Sequence, residues 1–203
     1  FYFKKKYEID NFNFINKNRF FKKNFIFIDI GCNIGIYTLI IGNKFQNCKQ
    51  IISIEPIYNT FKRLRSNVKN NKIERITTLL NFALSNKDGK AKMRSVSKNN
   101  QIQLSKYEID QIGDVEVETK VFDNLYKFKE EYIFIKCDVE GHEIKTIQGM
   151  KNTLKKNTCL IQIEIFPQKY KDTERLLNDL DYFKIQKTKE KDTFFFGKKN
   201  MFS

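Results

Sequence analysis

Proline occurs only twice in the 203 residues, glycine eight times and tryptophan not at all, so collagen-like and low-complexity readings fail on composition. Histidine is equally scarce, with His142 alone. The four cysteines, Cys32, Cys48, Cys137 and Cys159, form no CxxC pair, and no Cys/His spacing suggests zinc. Three of them sit in or beside apolar runs, which points to a reducing, cytoplasmic setting. No long hydrophobic run is present. Residues 25–42 come nearest, but Asp29, Asn33 and two glycines interrupt them, and they read as a strand turning into a helix. The chain opens on Phe1 without a methionine, so the native start is expected upstream, where a targeting segment would escape notice.

What remains is the composition of one folded domain: 40% apolar, 31% charged and 14% aromatic. At this length folding buries roughly 70% of the extended chain's surface, enough for a sizeable core. Lys and Arg number 38 against 24 Asp and Glu, a balance of +14. Such a charge attracts phosphates, anionic lipid surfaces and acidic glycans. Lys, Asn, Ile and Phe are also all written with A/T-rich codons, so codon bias is an equal explanation.

Phe25-Ile26-Phe27-Ile28 is a continuous apolar run ending in Asp29-Ile30-Gly31, the pattern of a parallel strand buried on both faces. Ile36, Leu39 and Ile40 then recur at helical spacing, and Ile51 to Ile54 forms a second strand ending in Glu55. A helix is expected through Ile57, Phe61, Leu64 and Val68, and a third strand over 76–82. Asn86-Lys87-Asp88-Gly89 signals a turn between short strands. Residues 96–113 are polar without period and are read as a loop that covers substrate. Val115 to Val121 alternates as an edge or hairpin strand. Ile133 to Ile135 leads into Lys136-Cys137-Asp138-Val139-Glu140-Gly141. A single helix is expected over 144–154, a strand over 160–165, a helix opened by Pro167, and closing strands at 183–186 and 194–196. Strands alternating with helices predict a doubly wound α/β domain with a mostly parallel sheet. The basic, aromatic segment 1–24 would cap it, leaving 25–203 as the main domain.

Ligands of such sheets lie outside the carboxyl ends of the strands. A dinucleotide fingerprint needs G-x-G-x-x-G, yet Asn33 and Ile36 stand where the second and third glycines belong. The G-x-x-x-x-G-K-[ST] phosphate loop is absent too. Asp29 would repel a diphosphate but receive an ammonium, while Gly31 and Gly35 let the backbone curl around a ligand. Glu55, twenty residues beyond Gly35, can accept hydrogen bonds from two ribose hydroxyls. S-adenosylmethionine has both groups and no phosphate. Asp29 and Asn33 are equally suited to capping the following helix, which is compatible with binding, and Glu55 is equally readable as a solvated strand end.

Four pieces resemble the FkbM-type S-adenosylmethionine-dependent methyltransferases: Phe27 to Leu39 with D-x-G-x-N-x-G-x-Y, Ile54-Glu55-Pro56 with Leu64 and Asn67, Ala83-Leu84-Ser85 with Asp88-Gly89, and Ile135 to Glu143 with Gly149. Order and spacing agree over 25 to about 165. The resemblance implies a Rossmann-like class I methyltransferase in which Asp29, Gly31, Asn33 and Gly35 line the methionine end, Glu55 the ribose, and Pro56, Phe82 and Ala83 the adenine. Cys32 and Cys137 depart from the usual Ala and aliphatic residue, both small exchanges.

Methyl transfer from a sulfonium mainly needs alignment and a place for the acceptor's proton. Asp138 is the candidate to position the reactants and His142 to take the proton, kept neutral by the helix start on which it sits. Glu143 is a third catalytic candidate, with a helix-start carboxylate the plainer reading for it and for Glu140. Asp138, Glu140 and Glu164 could also offer oxygens to Mg²⁺, though no metal is expected. The resemblance implies O-methylation of a sugar, glycan, lipid or small metabolite. The alternative is a nucleic-acid-binding protein or RNA methyltransferase, suggested by Phe3-Lys-Lys-Lys-Tyr7 and Arg19-Phe-Phe-Lys-Lys23.

Overall fold

A computed structural model describes residues 8–95, 107–110, 115–189 and 192–199. Eleven strands and seven helices follow in the order α1 Ile9–Lys17, β1 Phe25–Ile30, α2 Ile36–Lys44, β2 Cys48–Ile54, α3 Tyr58–Asn70, β3 Thr77–Leu80, β4 Ala83–Leu84, β5 Gly89–Ser95, β6 Tyr107–Asp110, β7 Val115–Lys120, α4 Phe122–Leu125, β8 Tyr132–Cys137, α5 Glu143–Gln148, α6 Lys151–Lys156, β9 Thr158–Glu164, α7 Tyr170–Asn178, β10 Phe183–Lys187 and β11 Thr193–Gly197 among the described residues.

The apolar runs become the middle of a seven-stranded sheet ordered β10-β11-β9-β8-β1-β2-β3. Strands β9, β8, β1, β2 and β3 are parallel, whereas β11 is antiparallel to β9 and to β10. Side chains alternate between the two faces. Phe25 and Phe27 join Ile15 of α1 and Tyr37 and Ile41 of α2 on one side, while Ile26, Ile28 and Ile30 meet Ile147, Leu154 and Leu177 on the other. Each large side chain so buried contributes roughly 1.5 to 3 kcal/mol relative to exposure. Leu64 and Val68 fasten α3 onto Leu39 of α2. This is the mostly parallel, doubly wound Rossmann-like sheet that the sequence predicts.

Several details differ. The strand expected over 76–82 ends at Leu80, and β4 crosses into a second sheet ordered β4-β7-β5-β6. That sheet rests on the loop after β2 through Ile57, Ala83, Met93 and Val117. Of the expected loop 96–113, Tyr107–Asp110 pairs with β5 as a strand, and the remainder lies outside the described residues. The helix expected over 144–154 breaks at Gly149-Met150. A Cβ on Gly149 would lie 2.0 Å from the Ser85 carbonyl, so the chain turns there against β4, and Asp123 caps the restart by accepting the Asn152 and Thr153 N–H groups at 2.7 and 2.9 Å. Of the basic-aromatic pieces, residues 3–7 lie outside the described residues, and Phe20 and Phe21 are packed into the core. Burial removes these two rings from any role in stacking on bases.

Candidate active site

The last residues of β1 and β2 diverge into turns, and the backbone there is left-handed at Gly31 (φ +70), Asn33 (φ +52) and Gly35 (φ +89). Gly31 is required sterically, since a Cβ would lie 1.9 Å from the carbonyl oxygen of Asp138. The turn is held by the Gly31 and Cys32 N–H groups donating to the Ile54 carbonyl at 3.0 and 3.1 Å.

Asp29 is wholly buried. Its Oδ2 accepts from the Thr38 N–H at 3.0 Å and the Thr38 hydroxyl at 2.7 Å, so the carboxylate caps the first turn of α2 from the strand below. Its Oδ1 has no hydrogen-bond partner. Burial raises its pKa above the ordinary 3.8, against the pull of Lys136 and the two Thr38 donors. Glu55 is 6% exposed, not a solvated strand end. Its two oxygens accept from the Ile57 N–H at 2.8 Å and the Asn33 N–H at 3.0 Å. Burial nevertheless pushes its pKa from 4.5 to about 7, with Asp29 and Asp138 adding to the rise.

A cavity of about 300 Å³ runs along the carboxyl ends of β2, β1, β8 and β9, bounded by Glu55 at one side and Glu164 at the other. Asp29, Gly31, Asn33, Glu55, Pro56, Phe82, Ala83, Asp138 and His142 all line it. Gly35 and Glu143 do not. Gly35 turns the chain into α2, where a Cβ would meet Leu64 at 2.5 Å. Glu143 is buried at the start of α5, its Oε1 accepting from the Gly141 N–H at 2.8 Å, which braces the turn behind the cavity wall.

Asp138 is anchored by its N–H to the Ile30 carbonyl at 3.1 Å, and its carboxylate meets Lys136 at 3.2 Å. His142 stands at the N-cap position of α5 without a side-chain cap bond, its ring nearly buried and Nε2 3.1 Å from the Ser85 hydroxyl. Its pKa falls to about 4, first through burial and then through Lys145 and Lys169. Burial, more than the helix start, therefore keeps this imidazole neutral near pH 7. Among the described residues no three His, Cys, Asp or Glu side chains converge as a metal site.

Sequence reasoning missed three contributors. Lys136, in the middle strand β8 and only 7% exposed, stands opposite Asp29 in register. Burial lowers its pKa, but Asp138, Asp29, Glu8 and Tyr37 outweigh that and hold it well above the usual lysine value. Asn81 donates to the carbonyls of Glu55 and Pro56 at 2.8 and 3.0 Å, pinning the strand end that carries Glu55. Glu8, from the basic leading segment, reaches the cavity wall and accepts from the Tyr37 hydroxyl. Lys136 carried one signal, its place inside the motif from Ile135 to Glu143, and Asn81 another, its place beside Phe82 at a strand end; Glu8 carried none.

Known proteins agree with this architecture. The Methyltransferase FkbM domain model matches residues 29–188. An FkbM methyltransferase from Methylobacillus flagellatus superposes with a TM-score of 0.62 at 14% identity, over 86% of this chain and 43% of that one. The chain thus spans under half the length of that relative. A precorrin 8W decarboxylase from Methanobacterium thermoautotrophicum gives 0.52 at 12% identity, over 95% and 90% of the two chains. An rRNA methylase from Streptococcus thermophilus gives 0.50 at 10%, over 87% and 89%. At these identities the structures share the fold. No curated protein matches in sequence. A family model covering most of the chain, on a sheet whose strand ends carry the family's motifs, makes this protein a member of the FkbM methyltransferase domain family.

Proposed function

We propose that this chain transfers the methyl group of S-adenosylmethionine to a hydroxyl of a sugar, glycan, lipid or small metabolite. The observation that carries the reading is the single cavity shared by Asp29 and Glu55 over β1 and β2 and by Asp138 and His142 over β8. The residues fit the donor. Asp29 Oδ1, buried and without a partner, is suited to an ammonium, and the nearly buried Glu55 carboxylate to paired ribose hydroxyls. Asn33 and Gly31 shape the wall between them, while Pro56, Phe82 and Ala83 offer a flat apolar wall to the adenine.

The donor supplies an electrophilic methyl on a sulfonium. The protein's share is alignment, which in well-oriented systems is worth roughly 7 to 11 kcal/mol. Asp138 orients the acceptor hydroxyl from the strand end. Asp138 is engaged with Lys136, and His142, with a pKa of about 4, is not a strong base. A hydroxyl grows acidic as its oxygen gains the methyl, so a weak base suffices if proton loss accompanies transfer. Asp138 and the neutral His142 both line the cavity, and in this reading either receives that proton.

Calorimetric titration of S-adenosylmethionine, with NAD as control, tests the donor half. Micromolar binding lost in Glu55→Ala is expected. For the transfer half, Asp138→Ala should bind the donor as before while losing methylation of its acceptor; full activity in both Asp138→Ala and His142→Ala would remove the catalytic assignment. The basic surface gives the runner-up, RNA methylation, no residue on the cavity wall beyond Lys136 and His142.

A further inference from the structure

The wall over β8 and β9 differs from the donor end. Beside the cavity here lies a recess of about 10 Å³, room for one water or one small polar group, and Glu8, Lys136, Asp138 and Glu164 line both spaces. Gln162 of β9 lines the recess, is 2% exposed, and uses its Nε2 to donate to the Tyr37 hydroxyl at 2.6 Å. That bond leaves its Oε1 buried with no hydrogen-bond partner. An orphaned amide oxygen of this kind is destabilising unless something donates to it.

Charge points the same way. Among the described residues Lys136 is the one lysine lining this wall, and it faces Asp138, Asp29 and Glu8 together. Asp138 holds it directly at 3.2 Å, and Asp29 is engaged by the donor in the reading above. Glu8 thus shares the charge of Lys136 with two other carboxylates, and its hydrogen-bond partners among the described residues are neutral: the Tyr37 hydroxyl, and the amides of Asn11 at 2.8 Å and Gln162 at 3.5 Å. Among the described residues, Glu8 and Asp138 against the single Lys136 give the recess acceptor oxygens and an excess of negative charge, inside a protein whose balance is +14. A phosphorylated or carboxylated acceptor drawn in by the surface would meet Glu8 and Asp138 at the site.

We propose that the acceptor is a hydroxyl compound that also bears a protonated amine, an amino sugar or related amino alcohol, with Glu8 receiving the ammonium and the Gln162 oxygen a further donor. Glu8 is the specificity-determining residue in this assignment, which rests on the O-methylation reading. A carboxylate paired with a desolvated ammonium, together with one filled amide oxygen, should discriminate by tenfold or more against the same molecule without its amine.

The test is calorimetric, on protein loaded with S-adenosylhomocysteine, using glucosamine, glucose and glucuronate as probes. Glucosamine is expected to bind at least tenfold more tightly than glucose, and glucuronate more weakly than either. In Glu8→Gln the preference for glucosamine should shrink to within about threefold, with S-adenosylhomocysteine affinity and the thermal midpoint of the loaded protein retained. Equal binding of glucosamine and glucose, tighter binding of glucuronate, binding of none of the three, or a preference that survives Glu8→Gln overturns the proposal. Failure of S-adenosylhomocysteine to bind the wild-type protein would instead overturn the methyltransferase site on which it rests.

Discussion

Glu55 should make donor binding depend on pH in a way few other residues here can imitate. Its pKa in the folded protein is about 7, against an ordinary 4.5. A raised carboxyl pKa means that the folded state favours the protonated form. Its stabilising contribution is complete below 4.5 and is lost as pH rises to about 7. At ~1.36 kcal/mol per pH unit the loss comes to roughly 3 kcal/mol. Ribose hydroxyls donate best to the ionised carboxylate, so binding must first drive a proton off whenever the pH lies below about 7. Donor affinity should therefore fall about tenfold between pH 8 and pH 6, with proton release visible as a dependence of the calorimetric enthalpy on the buffer. Glu55→Gln removes both effects. Its affinity should be weaker at pH 8 and nearly flat with pH, and its stability relative to wild type should improve by roughly 3 kcal/mol on going from pH 4.5 to pH 8. Urea unfolding of the free proteins measures the second quantity without any ligand. Constant affinity from pH 6 to 8 in the wild type, or a stability difference that does not change with pH, would refute this account of Glu55.

His142 should act in the opposite sense: its pKa of about 4 lies below the ordinary 6.5, so stability present above 6.5 is lost toward pH 4, by roughly 3 kcal/mol, and His142→Gln should flatten that acid limb in urea titrations. Gly31→Ala forces a left-handed alanine, costing about 1 to 2 kcal/mol, and puts a methyl 1.9 Å from the Asp138 carbonyl. A loss of at least about 3 kcal/mol is expected by urea unfolding, and less than about 1 kcal/mol would mean that the turn yields freely. Asp123→Ala removes the acceptor for Asn152, Thr153 N–H and the Thr153 hydroxyl, and should lower stability by about 2 kcal/mol, with Asp123→Asn recovering part of it. An unchanged melting temperature in Asp123→Ala would show that α6 needs no cap.

The stretch from Phe25 to Glu55 was readable because a parallel strand buried on both faces needs an unbroken apolar run, and because a glycine turn must follow where the next helix begins. Glu55 could be found from its distance to that turn. The break at Gly149 was not readable: helical spacing continues through it, and what stops the helix is the Ser85 carbonyl, more than sixty residues away in sequence. Lys136 stood inside a motif without a role, because a lysine in an apolar run normally marks an edge, whereas here Asp29 and Asp138 compensate it from neighbouring positions. The bonds joining Glu8, Tyr37 and Gln162 link α1, α2 and β9, and no local pattern brings three such distant polar groups together.

The site and the sheet are held by the same contacts. Asp29 and Lys136 are opposed in register on the two central strands, and both are almost wholly buried. Two such charges leave water at a cost of several kcal/mol each, which their attraction offsets only in good geometry. That geometry is set by the ladder between β1 and β8, and Asp29 is fixed further by Thr38, whose hydroxyl is 2.7 Å from that of Ser53 on β2. The carboxylates can then neither swing out to solvent nor collapse on one another without unzipping the centre of the sheet. Left-handed backbone at Asn33 and Glu140 adds strain at the cavity's rim, which the apolar strands beneath offset. In the proposed methyl transfer, charge kept in place before any ligand arrives would not need to reorganise when a sulfonium and an acceptor hydroxyl meet, and a fold that gives up stability for this purpose is expected to do so at the ends of its most deeply buried strands.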